Sequence, residues 1–344
     1  MASDRPLLAI TMGDPGGIGP EVCAKALALE EVHAVCRPLV VGDASVVGDA
    51  VRFCRLGLSV GAVADPADGR YERGTIDVLD LHNVPRGGLR LGQVTPEQGR
   101  ASFEYVSKAI ELALRRAVDA NVTGPINKAA VNAAGFRYAG HTEIYADKTG
   151  VADFALMLVH GGFRVAHVST HVSLRQACDA VRKERVLKVI ELAHDAVRRI
   201  TGGPARLAVA GLNPHCGEGG LFGTEDDDEV APAVRAARER GIEVEGPLPA
   251  DTLFPKLRGG QYDAVVAMYH DQGHVPTKLL GFRYDDRTGA WTSVAGVNVT
   301  LGLPIVRTSV DHGTAFDRAG QGTASAQSMV DAIQLAAALA REER

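Results

Sequence analysis

The chain has no C-x-x-C pair, no Lys/Arg-rich tail and no long apolar run, and each absence removes a class of function. Its 5 cysteines (Cys23, Cys36, Cys54, Cys178, Cys216) are odd in number and scattered over 344 residues. That pattern argues against a disulfide framework and for reduced thiols in the cytoplasm. No stretch approaches the ~20 apolar residues that span a bilayer. The N-terminus leads into a strand without a signal-like apolar core, so the expectation is a soluble, cytoplasmic protein with no membrane partner. A net charge of −5 without a basic stripe makes nucleic acid an unexpected partner. Small anionic ligands stay open, because a local basic pocket can exist inside a mildly acidic protein.

What is present is an ordinary globular composition in a chain longer than one core usually serves, which favours two lobes. Apolar runs alternate with amphipathic segments, the mark of an α/β fold with a mostly parallel sheet. Strands are expected at Leu7–Thr11, Leu39–Gly42, Ile76–Leu81, Phe163–Val168, Leu207–Leu212 and Ala264–Met268. Long helices are expected over 96–118, 184–200 and 326–340. Thr224, ahead of the acidic run 225–229, reads as a helix cap with carboxylates at the positive end of the dipole.

Three of those strands are followed by histidines in polar, turn-rich settings: His171 in Val-Ser-Thr-His, His215 in Leu-Asn-Pro-His-Cys-Gly, and His270 in Tyr-His-Asp-Gln-Gly-His. A single histidine at a strand end is usually a structural residue. Three in matching positions could converge on one divalent metal ion, with Glu218 and Asp271 placed to orient the rings.

Ligands gather at the carboxyl ends of strands in such sheets, so the other unusual loops need weighing. Gly13–Glu21 is glycine-rich and opens a helix, but a tight strand-to-helix turn explains it better than an anion cradle. His141 and Thr142 can hold a phosphate or hydroxyl, while Thr142 can equally cap the helix through Ile144–Lys148. Lys278, Asn298 and Arg307 sit at expected strand ends, and the two cations suit a phosphate or carboxylate. The Asp311–Gly320 segment can wrap a nucleotide or cap a helix.

Taken in order, these segments resemble the 4-hydroxythreonine-4-phosphate dehydrogenase family of vitamin B6 biosynthesis. The likeness runs from Thr11-Met-Gly-Asp-Pro-Gly-Gly-Ile-Gly-Pro-Glu21 through Gly-Pro-Ile-Asn-Lys128, Gly-His-Thr-Glu143, Val-Ser-Thr-His171, Asn-Pro-His215 and Tyr-His-Asp-Gln-Gly273 to Thr-Ser-Val-Asp-His-Gly-Thr-Ala-Phe-Asp317. It implies two α/β/α lobes like those of isocitrate and isopropylmalate dehydrogenases, with an active-site cleft between them. The lobes would be 1–125 plus 300–344, carrying the nucleotide loop, and 126–299, carrying the metal and dimer-interface residues. It implies a homodimer with the active site at the interface, and His270 across that interface from His171 and His215, the metal ligands. His141, Thr142, Lys278, Asn298 and Arg307 become substrate contacts, with Lys278 and His141 the catalytic candidates. His312, Gly313, Thr314, Ala315 and Asp317 become contacts to NAD or NADP.

The implied reaction is metal-dependent (Zn, Mg or Co) oxidation of the 3-hydroxyl of 4-phosphohydroxy-L-threonine, then decarboxylation to 3-amino-2-oxopropyl phosphate. Two departures point elsewhere. His-Asp-Gln-Gly-His274-Val-Pro-Thr-Lys278 looks more like relatives that oxidise 4-phospho-D-threonate or 4-phospho-D-erythronate, and Arg283–Ala295 is an extra stretch expected as a loop. A non-catalytic phosphometabolite-binding protein is the reading from another class.

Overall fold

A computed structural model describes residues 5–85, 87–287 and 290–341. Its contacts divide the chain into two compact units, Met1–Ala152 with Leu303–Arg344, and Asp153–Gly302. The division falls after residue 152, where the sequence reading had placed it after 125. The helices Lys128–Ala133 and His141–Thr149 pack on the helix Pro96–Leu114, which keeps 126–152 with the first unit.

The strands are β1 (Leu7–Thr11), β2 (Arg37–Gly42), β3 (Ser59–Val63), β4 (Thr75–Asp80), β5 (Ala120–Thr123), β6 (Ala155–His160), β7 (Phe163–His167), β8 (Leu207–Ala210), β9 (Val244–Leu248), β10 (Ala264–Ala267), β11 (Phe282–Asp285), β12 (Ala290–Val294), β13 (Val297–Leu301) and β14 (Arg307–Val310). In the first unit they run β3-β4-β2-β1-β5-β14, all parallel. Buried on both faces, such strands read as unbroken apolar runs: Leu8, Ala9 and Ile10 are each 0% exposed. In the second unit the order is β13-β6-β7-β10-β8-β9, with β13, β6 and β7 antiparallel and the rest parallel.

The long helices form where the apolar spacing put them, at Pro96–Leu114, Lys183–Thr201 and Gln327–Arg341. Thr95 caps the first through its side chain to the Gln98 N–H. Two local expectations fail. Thr224 makes no side-chain cap, because the segment starts as a π-helix at Asp226 and Asp226 turns inward instead. Thr142 is no cap either: the helix begins at His141 behind Gly140, which makes no side-chain cap. The stretch expected as a loop over 283–295 is, in its described residues, an antiparallel hairpin pairing Phe282 with Val294 and Asp285 with Ala290. No described helix is long and apolar enough to cross a membrane.

Gly99 tests the packing directly. A Cβ there would lie 2.1 Å from the backbone carbon of Ala130, where the two helices touch. Alanine ordinarily gains ~1 kcal/mol over glycine inside a helix, yet forcing backbones apart costs ~1–3 kcal/mol. Gly99→Ala is therefore expected to lower the urea midpoint, and a raised midpoint would contradict the close approach.

Candidate active site

The first unit gathers polar groups on one patch of its sheet. Side chains alternate along a strand, so Asn121 and Thr123 of β5 share a face. Arg307 is paired with Asn121 in the neighbouring strand. It was expected at a strand end facing a loop. It is instead the first residue of β14 and only 3% exposed, donating to Thr123 Oγ1 at 2.8 Å. Against this patch lies the helix His141–Thr149, whose residues 141 and 145 fall on one side by the four-residue spacing. The Arg307 guanidinium stands 5.4 Å from the Tyr145 ring centroid.

Electrostatics follow from burial. It pushes the Arg307 guanidinium down to about 10, with Tyr145 and Glu143 acting the other way. The group still carries its charge at neutral pH. Burial also holds the His141 imidazole well below its ordinary range, and the nearby Arg307 and Lys128 cations push it further. His141 is thus a neutral ring beside a buried cation. Its Nε2 is buried without a hydrogen-bond partner among the described residues, while the buried Tyr145 hydroxyl and Asn121 amide lie beside each other. Buried polar atoms normally find partners, which makes His141 Nε2 the exception in this patch.

The glycine-rich loop resolves differently. The N–H groups of Asp14 and Ile18 bond to Pro125 O and Thr314 O, while Gly16 and Gly17 bond back to Asp14. Its donors are spent inside the protein, as a tight turn requires. Glu21 reaches across to the backbone N–H of Gly320 and of Gly322, and Lys25 to the carbonyl of Ala324. These contacts brace the 312–320 segment, in which Ala315 is left-handed (φ 40°) and His312 Nδ1 lies 3.0 Å from Gly313 O. Phe316–Arg318 is a 3-10 turn, so the segment is a braced loop and Gln327 opens the helix after it.

In the second unit the histidines lie at the carboxyl ends of neighbouring strands. His171 follows β7 and His270 follows β10, and their ring centroids are 5.8 Å apart within one chain. His270 was expected in a loop but opens the helix His270–Gly281, which continues through Pro276 and carries Lys278. Lys278 Nζ lies 4.8 Å from the Phe282 ring centroid, and Asn298 sits on β13 opposite Leu158. His215 follows β8 on a left-handed run in which it has φ 51° and Cys216 φ 56°. Non-glycine residues adopt that region at a cost and need to be held there. The holding group is Asp226, fully buried, which accepts from the backbone N–H of Leu212 at 2.7 Å and of Asn213 at 3.0 Å.

The expected carboxylate partners are in place. His215 Nδ1 lies 2.9 Å from Glu218 Oε2, and His270 Nδ1 lies 2.6 Å from Asp271 Oδ1. Fixing Nδ1 in this way aims Nε2 outward, the usual arrangement behind a metal ligand. In donor type these residues suit a divalent ion. Among the described residues, however, no three His, Cys, Asp or Glu side chains of one chain converge closely enough to hold one.

Sequence reasoning missed two members of this group. His274 stacks on His270 at 3.6 Å, and His167, buried, lies 4.7 Å from His274. Burial lowers both imidazoles, His274 to about 4 and His167 to about 3. The four-residue spacing of 270 and 274 signals a shared helical face only once a helix is assumed there.

The profile of the family described as pyridoxal phosphate biosynthetic protein PdxA matches residues 34–336. The chain belongs to the PdxA family. A D-threonate 4-phosphate dehydrogenase of Cupriavidus necator is 45% identical over 341 residues, 99% of each chain. The crystal structure of a 4-hydroxythreonine-4-phosphate dehydrogenase from Burkholderia phymatum aligns with TM-score 0.84 at 43% identity, over 97% of this chain and 98% of that one. The corresponding enzyme from Klebsiella pneumoniae aligns with TM-score 0.84 at 42% identity, over 98% and 100%. The α/β fold is therefore that of the PdxA dehydrogenases, and the family supports an oxidoreductase.

Asp14, in the glycine-rich loop, offers a pH test. Burial pushes its carboxyl up to about 6, against a partial pull from the Gly16 N–H. An acid whose folded-state pKa lies above its unfolded value of about 3.9 binds its proton more tightly when folded. Stability should then fall as pH rises from about 4 to about 6 and stay lower above. Asp14→Asn keeps an acceptor for Gly16 and removes the ionisation. Unfolding free energies from urea titrations across that range should fall less in the variant, by up to ~3 kcal/mol at ~1.4 kcal/mol per unit; parallel profiles would contradict this.

Proposed function

We propose that the protein is a metal-dependent, NAD(P)-linked dehydrogenase of a phosphorylated four-carbon hydroxy acid, with 4-phospho-D-threonate or 4-phospho-D-erythronate ahead of 4-phosphohydroxy-L-threonine. The observation that carries the reading is the buried Arg307 beside the neutral His141 in the first unit. A buried cation beside an uncharged imidazole whose Nε2 has no partner among the described residues suits an anionic substrate. The order of substrates rests on the His-Asp-Gln-Gly-His274 run and on the name of the 45% identical relative. The names of the Burkholderia and Klebsiella enzymes support 4-phosphohydroxy-L-threonine as the second reading.

His141, Thr142, Lys278, Asn298 and Arg307 are the substrate contacts in this reading. Arg307 holds an anionic end of the substrate, and His141 offers an uncharged ring nitrogen to a substrate oxygen. Lys278 and His141 are the groups able to move a proton. His312, Gly313, Thr314, Ala315 and Asp317 hold the nucleotide. A divalent ion (Zn2+, Mg2+ or Co2+) on His171, His215 and His270 would polarise the 3-hydroxyl and stabilise the enolate left by loss of CO2, while NAD(P)+ would accept the hydride. Oxidation at C3 of 4-phospho-D-threonate gives a β-keto acid. Its C1–C2 bond then breaks to release CO2, C2 takes up a proton, and dihydroxyacetone phosphate remains.

Comparing kcat/KM for the three phosphorylated acids decides the substrate. At least a tenfold preference for the D-threonate or D-erythronate ester is expected, and a preference for 4-phosphohydroxy-L-threonine would reverse the order. Glu218→Ala should weaken divalent-metal binding by calorimetry ~10–100-fold and His215→Ala by more, and unchanged affinity in His215→Ala would remove His215 from the ligand set. Tight substrate binding with no hydride transfer under any metal would favour a non-catalytic phosphometabolite-binding protein.

The homodimer is part of the same reading. Val275 (61% exposed) and Leu279 (80%) fall on one helix face beside the histidines, and Leu221 (72%) is likewise uncovered in one chain. Leu279→Asp is expected to shift the dimer toward monomer in sedimentation. A monomeric wild type would contradict the reading.

A further inference from the structure

Three residues with buried polar atoms surround Arg307: His141, whose Nε2 has no partner among the described residues, and Tyr145 and Asn121, whose hydroxyl and amide lie beside each other. His141 was expected to meet substrate. Asn121 and Tyr145 were not singled out, and both are 0% exposed. A ligand held by Arg307 is therefore not required to touch them, so any role passes through the guanidinium. The means are visible. The Tyr145 ring lies 5.4 Å from the guanidinium carbon, Asn121 is its register partner on β5, and Thr123 Oγ1 accepts one N–H at 2.8 Å. Stacking restrains a guanidinium against tilting, and the neighbouring dipoles restrain its rotation.

We propose that Tyr145 and Asn121 are positioning residues that fix the Arg307 guanidinium for one anionic group of the substrate. The proposal rests on the reading of Arg307 as the anion-holding residue. The ring does the orienting, and the hydroxyl is secondary. Planar donors bind an oxyanion well only when the fork is aimed, so a loosened guanidinium should lose affinity more than turnover.

The test is steady-state kinetics of the full-length holoenzyme, with inorganic phosphate and malonate as competitive inhibitors, on Tyr145→Phe, Tyr145→Leu, Asn121→Asp and Arg307→Lys. Tyr145→Leu is expected to raise KM about tenfold with kcat within about twofold, and Tyr145→Phe to restore most of the loss. Asn121→Asp places a carboxylate beside the guanidinium and should compete with the ligand, raising KM as well. A matching rise in the Ki for phosphate assigns the phosphate end, and a rise in the Ki for malonate the carboxylate end; either supports the proposal. Melting temperatures of the same variants separate folding from positioning. If Arg307→Lys raises KM while Tyr145→Leu, still folded, leaves KM and both Ki values unchanged, the positioning role is overturned. If Tyr145→Leu lowers kcat with KM unchanged, it is likewise overturned. If Arg307→Lys itself changes nothing, the reading of Arg307 fails first and the proposal falls with it. Should Tyr145→Leu not fold, Tyr145→Phe and Asn121→Asp carry the test: a rise in KM for Asn121→Asp alone supports it, and no change in either overturns it.

Discussion

Arg307 is 3% exposed inside the first unit, and a charge taken out of water must be compensated from its surroundings or by what binds there. Much of the neighbouring sequence makes sense in that light. Strand β5 carries Asn121 and Thr123 on the face that meets the cation, alternating with the buried Ala120 and Val122. The helix His141–Thr149 turns an imidazole and a phenol onto the same patch. The imidazole stays neutral because the patch is dry and already positive. Each of these groups would be a defect in an ordinary core, and together they form a polar patch around the buried cation.

The second unit shows how the segments after its short strands are held. Asp226 fixes the backbone before His215 by accepting two N–H bonds, and Gln272 ties Met268 N to Gly211 O, linking the His270 and His215 loops. Glu218 and Asp271 then set the rings. The left-handed backbone at His215 and Cys216 thus follows a segment held by a buried carboxylate.

The apolar runs were enough to find β1 at Leu7–Thr11, and to find β7, β8 and β10 within two residues at their C-terminal ends, because a doubly buried strand has little choice but Val, Ile, Leu and Ala. The histidines after three of those strands, and the carboxylates beside them, were legible for the same reason. Tertiary effects hid the rest. Asp226 looked like a dipole partner because nothing local says that its carboxylate turns inward. The helix Pro96–Leu114 claims the segment 126–152, which moves the expected boundary. Pro276 masked the helix His270–Gly281 and with it the stacking of His274 on His270. Asn121 and Tyr145 carried no signal, since an isolated polar residue in an apolar strand is meaningful only once its neighbours across the sheet are known.

One assay bears most directly on the central claim, that an anion-holding patch and a set of imidazoles serve a dehydrogenase of phosphorylated hydroxy acids. NAD(P)H formation would be followed with 4-phospho-D-threonate and with unphosphorylated D-threonate, each with a divalent metal and after exhaustive chelation. The account predicts turnover with the phosphorylated acid alone, lost on chelation and restored by added metal. Equal turnover of the unphosphorylated acid, or full activity in the chelated protein, would contradict it.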